Sequence, residues 1–198
     1  MLCPACLASL PRTEQAMLRQ NETEMVLDMP LERAAAFLFF EKEDSIARVI
    51  HAMKYADQPE IGYVLGRQAA MEMQYAGFFD GIELIVPIPL HDHRMRERGY
   101  NQSEYIARGI SEVTGIAVDT THVVREKDTP KQALQRGDER KMNVANAFAV
   151  LQPEQLYKKH ILVVDDLITT GETMRSCIKA MRRIRGAKFS VFALCKAR

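Results

Sequence analysis

Residues 161–174 read ILVVDDLITTGETM: four apolar residues run straight into two adjacent carboxylates, then a Thr-Thr-Gly turn leads into a helix. Apolar runs of this kind recur along the chain. The pattern predicts strands at AAAFLFF (34–40), IELIVPIPL (82–90), HVVRE (122–126), AFAVL (147–151), HILVVDD (160–166) and KFSVFALC (188–195). Helices are predicted between them. One covers 44–55, capped by Asp44 or Ser45, with Ile46, Val49, Ile50 and Met53 at helical spacing. A second opens at Pro59 and runs to about Tyr75, with Ile61, Val64, Leu65 and Ala69 on one face. A third runs from about Ser103 to Thr114, and a fourth from 171 to 185, stopped by Gly186. Strands that alternate with helices specify an α/β fold, a largely parallel central sheet flanked by helices. Ligands of such sheets bind at the carboxyl ends of strands, which points to 165–173 and 87–102.

The chain has 198 residues and is 47% hydrophobic, enough for one compact domain over 31–198. Residues 1–30, with CPAC and two further prolines, read as an N-terminal appendage. The formal charge of +1 provides no global field toward nucleic acid or membrane. No apolar run approaches a membrane span. The opening MLCPACLASL is too short, and too broken by Pro4, for a signal peptide. The expected location is cytoplasmic. Four cysteines in a chain of this length do not make a disulfide framework.

Two readings of 161–174 compete. In one, Thr169 and Glu172 form a capping box and Asp165 and Asp166 are turn residues. That leaves the paired like charges unexplained. In the other, the helix mouth is an anion site. Gly171 lets the backbone come close, and Thr169, Thr170 and Thr173 add hydroxyl donors. The acids at the strand end accept hydrogen bonds from neutral hydroxyls to one side. A ligand with a phosphate and a nearby vicinal diol satisfies both halves, and a ribose 5-phosphate is such a ligand. The P-loop and dinucleotide fingerprints are absent. A phosphorelay receiver domain can open on ILVVDD, but too little chain follows Asp166 for the rest of one.

ILVVDDLITTGETM resembles the phosphoribosyl pyrophosphate (PRPP) signature of type I phosphoribosyltransferases. AMKYADQPEIGYVLGRQAA, IVPIPLHDHRMRERGYNQSEYIAR and TPKQALQRGDERKMNVANAF precede it in the order and spacing of the ComF family. These proteins are phosphoribosyltransferase-like and linked to DNA uptake competence, and the similarity covers nearly all of the chain after residue 45. The resemblance implies that Asp165 and Asp166 hold the ribose hydroxyls and that Thr169, Thr170, Gly171, Glu172 and Thr173 cradle the 5′-phosphate. The loop after the 82–88 strand, with Pro87, Ile88 and Pro89, would bind pyrophosphate. A mobile hood would come from 125–147.

The implied reaction moves ribose 5-phosphate from PRPP to an unknown nitrogenous base or amine and releases pyrophosphate. Carboxylates near the ribose would stabilise an oxocarbenium-like transition state. Mg2+, bound mostly by oxygens of PRPP and water, would neutralise the leaving group. Arg94, Arg96 and Arg98 are candidate pyrophosphate ligands, because guanidinium forks fit phosphate oxygens; the competing reading is a solvated charge run. Lys54 and the hood residues Lys131, Arg136 and Arg140 are further candidate cations. The polar connection at 127–143, ending in a short helix, is long enough for a lid that excludes water. No nucleophile or general base stands out. His91 and His93 have a metal-like spacing without enough partners, and His51, His122 and His160 read as structural.

Cys3 and Cys6 form half of a zinc ribbon. ComF-like proteins commonly carry four cysteines there, and the chain begins where the second pair stands. Zinc is therefore not expected in this chain, and reduced thiols are. A competing function is a non-catalytic PRPP-binding or single-stranded-DNA-handling accessory protein of the competence machinery. The basic KAMRRIRGAK would supply its phosphate contacts, although the helix dipole explains that sequence equally well. A PRPP-sensing regulator is a third. The family fold often forms homodimers.

Overall fold

The computed structural model describes residues 4–17, 22–126 and 147–198. Its centre is a five-stranded, wholly parallel sheet in the order Arg33–Phe40, Lys188–Ala197, His160–Ile168, Leu84–Pro87 and Ala117–Val118. The strands are β1 (Arg33–Phe40), β2 (Leu84–Pro87), β3 (Ala117–Val118), β6 (His160–Ile168) and β7 (Lys188–Ala197). The register runs straight across the sheet: Ala34 pairs with Val191, Val191 with Val163, and Val163 with Val86. Strands covered on both faces read as continuous apolar runs, and eight consecutive residues of β7 are buried.

One face is covered by α3 (Ser45–Tyr55), α4 (Glu60–Met73) and α6 (Gln102–Thr114), which bring Met53, Leu65, Ile106 and Ile110 onto Leu162 and Val164. The other is covered by α2 (Glu22–Leu27) and α7 (Glu172–Met181), with Leu27, Met174, Cys177 and Ile178 against Ile161 and Val163. Asp44 occupies the N-cap position of α3, but its side chain makes no capping hydrogen bond.

Several expectations need correction. The buried stripe of α4 is Gly62, Leu65, Gly66, Ala69, Ala70 and Met73, while Ile61 and Val64 are only partly buried. A Cβ on Gly66 would lie 2.3 Å from Ile106 O, and one on Gly109 2.1 Å from Tyr63 O. The α4 and α6 backbones touch, so small residues rather than large ones define the contact. The stretch read as a polar loop after β2 contains α5 (Asp92–Arg98), which buries no residue and so shows no apolar period. Helix α7 stops at Met181, and the chain turns over 182–186 with Gly186 at φ 71°. The strands β4 (Val123–Arg125) and β5 (Phe148–Val150) form a separate antiparallel pair and do not join the central sheet.

The head of the chain packs against this frame. The short α1 (Pro4–Ala8) precedes a segment bonded to β1, where Thr13 N donates to Phe37 O and Phe39 N to Pro11 O. Gln15 is 4% exposed, and its Oε1 accepts from Thr23 Oγ1 and Ala36 N. Leu27 is fully buried. Among the described residues no helix is long and apolar enough to cross a membrane.

Candidate functional site

Strands β2 and β6 are neighbours, but their onward connections diverge. From β2 the chain passes through α5 and α6 to β3 on one side, and from β6 it passes through α7 to β7 on the other. The carboxyl ends of two such strands frame the crevice where open α/β sheets bind ligands. Pro87 pairs with Val164, so the β2–α5 turn and the acid pair emerge side by side.

Asp165 is partly buried. Its Oδ1 accepts from Ser103 Oγ at 3.1 Å and from the N–H of Asp166 at 2.8 Å. Burial, and then the charge of Asp166, push the Asp165 carboxyl up to about 7. Asp166 is 4% exposed and its Oδ1 lies 2.9 Å from Lys54 Nζ, at the end of α3. Asp166 Oδ2 is buried and has no hydrogen-bond partner among the described residues.

Beyond the acids the chain opens. Thr169 and Thr170 are exposed, and Glu172 and Thr173 are partly buried. The N-cap of α7 is Gly171, at φ 73°, and no side chain caps the helix. The capping box of Thr169 and Glu172 is therefore not formed, and the amide groups of the first turn are left without a side-chain acceptor. Gly171 is required twice over. Its φ suits glycine, and a Cβ there would meet Leu27 Cδ2 at 3.0 Å and Val26 Cγ1 at 3.3 Å. Arg175 Nη1 donates to Val26 O at 2.6 Å and ties α2 to the start of α7.

The expected pyrophosphate turn divides into two parts. Pro87 and Pro89 have no N–H, and the N–H of Ile88 is spent on Val164 O at 2.8 Å. Ile88 is also 3% exposed. These three residues shape the turn and offer no free backbone N–H to an anion. The arginines remain. Arg94, Arg96 and Arg98, with Lys54, Tyr55 and Tyr100, line a cleft of about 840 Å3 that also contains Asp57 and Glu97. Arg98 bonds Gln102 Oε1 and lies over the Tyr55 ring, 5.4 Å from its centroid.

Ser103, Asn101, Gln102 and Tyr55 were not singled out by the sequence. Asn101 caps α6 through Ser103 N, and its Nδ2 donates to Ile88 O at 3.0 Å, which fixes the turn after β2. Gln102 and Ser103 are 5% and 1% exposed. The available signal was the Asn-Gln-Ser run at the start of an amphipathic helix, since Asn is a preferred cap.

Lys131, Arg136, Arg140 and Cys3 lie outside the described residues, as does most of the expected hood. Cys6 is exposed, and Cys177 and Cys195 are buried thiols on core elements. Among the described residues no cluster of three or more His, Cys, Asp or Glu is placed to hold a metal. Arg182, Arg183 and Arg185 are exposed beyond the far end of α7. Ten helical residues separate that end from the acid pair, about 15 Å of rise. His160 is 9% exposed, with Nε2 2.9 Å from Ser190 Oγ, and burial lowers its pKa.

Residues 84–198 match the sequence model of the family described as phosphoribosyl transferase domain. The DNA utilization protein YhgH of Escherichia coli K12 is 31% identical over 154 residues, covering 76% of this chain and 67% of that protein. Competence protein F of Haemophilus influenzae is 34% identical over 117 residues, covering 58% of this chain and 51% of that one. The glutamine PRPP amidotransferase from B. subtilis, solved with ADP and GMP, aligns at a TM-score of 0.46 and 17% identity, over 70% of this chain and 26% of that one. The chain thus spans about a quarter of that enzyme's length.

Proposed function

The chain belongs to the phosphoribosyl transferase domain family, in its ComF branch, and on that premise we propose that it transfers ribose 5-phosphate from PRPP to a nitrogenous acceptor. Its five-stranded parallel sheet with flanking helices is the type I phosphoribosyltransferase fold. One observation supports the reading above others. The acid pair, the helix mouth at Gly171 without a side-chain cap, and the start of the segment that carries the arginine cleft all follow the carboxyl ends of adjacent strands, and they supply the three kinds of partner that a diol, a phosphate and a pyrophosphate require.

In the reaction, the bond from C1′ to the pyrophosphate oxygen breaks with its electrons leaving on pyrophosphate. The acceptor nitrogen forms the new bond to C1′, and an N–H acceptor loses its proton to solvent or base. Asp165 and Asp166 accept hydrogen bonds from the 2′- and 3′-hydroxyls and face the positive charge developing on the ring. Thr169, Thr170 and Thr173 donate hydroxyls to the 5′-phosphate, beside the first-turn amides of α7. Arg94, Arg96 and Arg98 receive the leaving pyrophosphate. Hard carboxylate oxygens suit Mg2+, but the described residues form no cage, so its ligands would come mainly from PRPP and water, and its chemistry would be neutralisation of the leaving group.

The names of the relatives support a second reading, a PRPP-binding or single-stranded-DNA-handling accessory role in DNA uptake. The exposed Tyr55 beside Arg98 is a feature a stacked base would use. The test is to incubate PRPP and Mg2+ with a panel of bases and amines and measure pyrophosphate release. Protein-dependent release with one acceptor supports transfer. No release with any acceptor, together with salt-dependent retention of an oligonucleotide, favours the accessory role.

A further inference from the structure

Lys54 belongs to both halves of the site. Its Nζ sits 2.9 Å from Asp166 Oδ1, and the same side chain lines the arginine cleft. Asp166 is 4% exposed, and its second oxygen has no partner among the described residues. A buried carboxylate held this way depends on a single cation, and its remaining oxygen is an acceptor without a donor. The cleft that Lys54 also lines carries three arginines against two acids, Asp57 and Glu97, so with the ammonium its cationic groups outnumber its acids and attract an anion. Lys54 lies in the last turn of α3. A compact ammonium on a flexible four-carbon stem can pass between two oxygen groups, which a guanidinium fork does less readily.

We propose that Lys54 is a positioning residue that links the anion cleft to the acid pair: an anion in the cleft draws the ammonium off Asp166, and Asp166 turns to a sugar hydroxyl in its place. This rests on the sugar-phosphate reading above. The empty protein then holds Asp166 in check, and the leaving-group end of the ligand releases the sugar-binding end. The two half-ligands consequently bind with positive coupling, and linkage makes that coupling reciprocal.

The test uses the full chain with two probes, magnesium pyrophosphate and ribose 5-phosphate, titrated calorimetrically alone and together. In the wild type, saturating pyrophosphate is expected to tighten ribose 5-phosphate by about fivefold or more. Lys54→Met abolishes the tightening, and Lys54→Arg, which keeps the charge, retains part of it. Because Lys54→Met leaves a buried carboxylate unpaired, Lys54→Met/Asp166→Asn is measured as well; it binds ribose 5-phosphate more weakly and without coupling. A purely structural lysine would change affinities or melting temperature and leave the coupling ratio intact. The proposal is overturned if both probes bind the wild type independently, or if Lys54→Met still shows the tightening. Failure of ribose 5-phosphate to bind the wild type at all would instead remove the sugar-phosphate reading, and the proposal with it.

Discussion

Ser103 Oγ donates to Asp165 Oδ1 at 3.1 Å, joining α6 to the end of β6 across 62 residues. This bond and the Asp166 N–H favour the charged form of Asp165, yet burial and the Asp166 charge outweigh them and push the carboxyl up to about 7. The ordinary aspartate value is about 3.9. Between these values the folded chain binds a proton that the unfolded chain does not. Asp165 therefore contributes stability that is fully present below about pH 4 and is lost as pH rises through about 7. Urea unfolding of the wild type and Asp165→Asn at pH 5 and pH 8 checks this. The variant should gain relative to the wild type at the higher pH, and a gap independent of pH would contradict the assignment.

Asn101 does two jobs with two atoms, capping α6 through Oδ1 and holding Ile88 O through Nδ2. Asn101→Ala should cost about 2 kcal/mol, roughly 1 for the cap and 1 for the buried bond. Asn101→Asp keeps the cap and loses the donor, so it should recover only the first part. Denaturant midpoints of both variants measure the split.

The α4–α6 contact has no room for a methyl group. Gly66→Ala and Gly109→Ala should each destabilise by about 2 kcal/mol or more, because the added Cβ meets backbone atoms that cannot step aside. Gly99→Ala is the control. Its Cβ meets nothing within 4 Å, and its φ of 81° leaves a strain of about 1 kcal/mol. Because Gly→Ala in a helix is otherwise favourable, losses at Gly66 and Gly109 no larger than at Gly99 would contradict the close contact.

Within the arginine cleft the three side chains are unequal. Arg98 is held by Gln102 and the Tyr55 face, whereas Arg96 is exposed on α5. Arg98→Lys should weaken magnesium pyrophosphate about tenfold through loss of a preorganised, charge-assisted contact. Arg96→Lys should remain near the wild type. Equal effects in calorimetry would contradict the ranking.

The parallel sheet was legible because its strands are buried on both faces, and β6 announces itself in four apolar residues and two acids. The arginine-bearing helix α5 was not, since a helix with no buried face has no apolar period. Strand β3 is two residues long, too short for any pattern. The strand type of β4 and β5 was readable, but their separate pairing depends on partners rather than local sequence. At the site, the acids, the hydroxyl loop and the arginines were visible as a motif. The Lys54–Asp166 pair spans 112 residues, and nothing local marks which cation reaches which acid. The packing glycines were hidden for a related reason. A close approach is defined by the neighbour that a missing side chain admits.

The most direct measurement is a calorimetric titration of PRPP with Mg2+ into the wild type and into Asp165→Asn/Asp166→Asn, with pyrophosphate alone as the control. If the tandem acids grip the sugar while the mouth of α7 grips its phosphate, the double variant should bind PRPP at least about tenfold more weakly, the loss expected for charge-assisted hydrogen bonds, and lose no pyrophosphate affinity. PRPP affinity unchanged in the double variant would contradict the account.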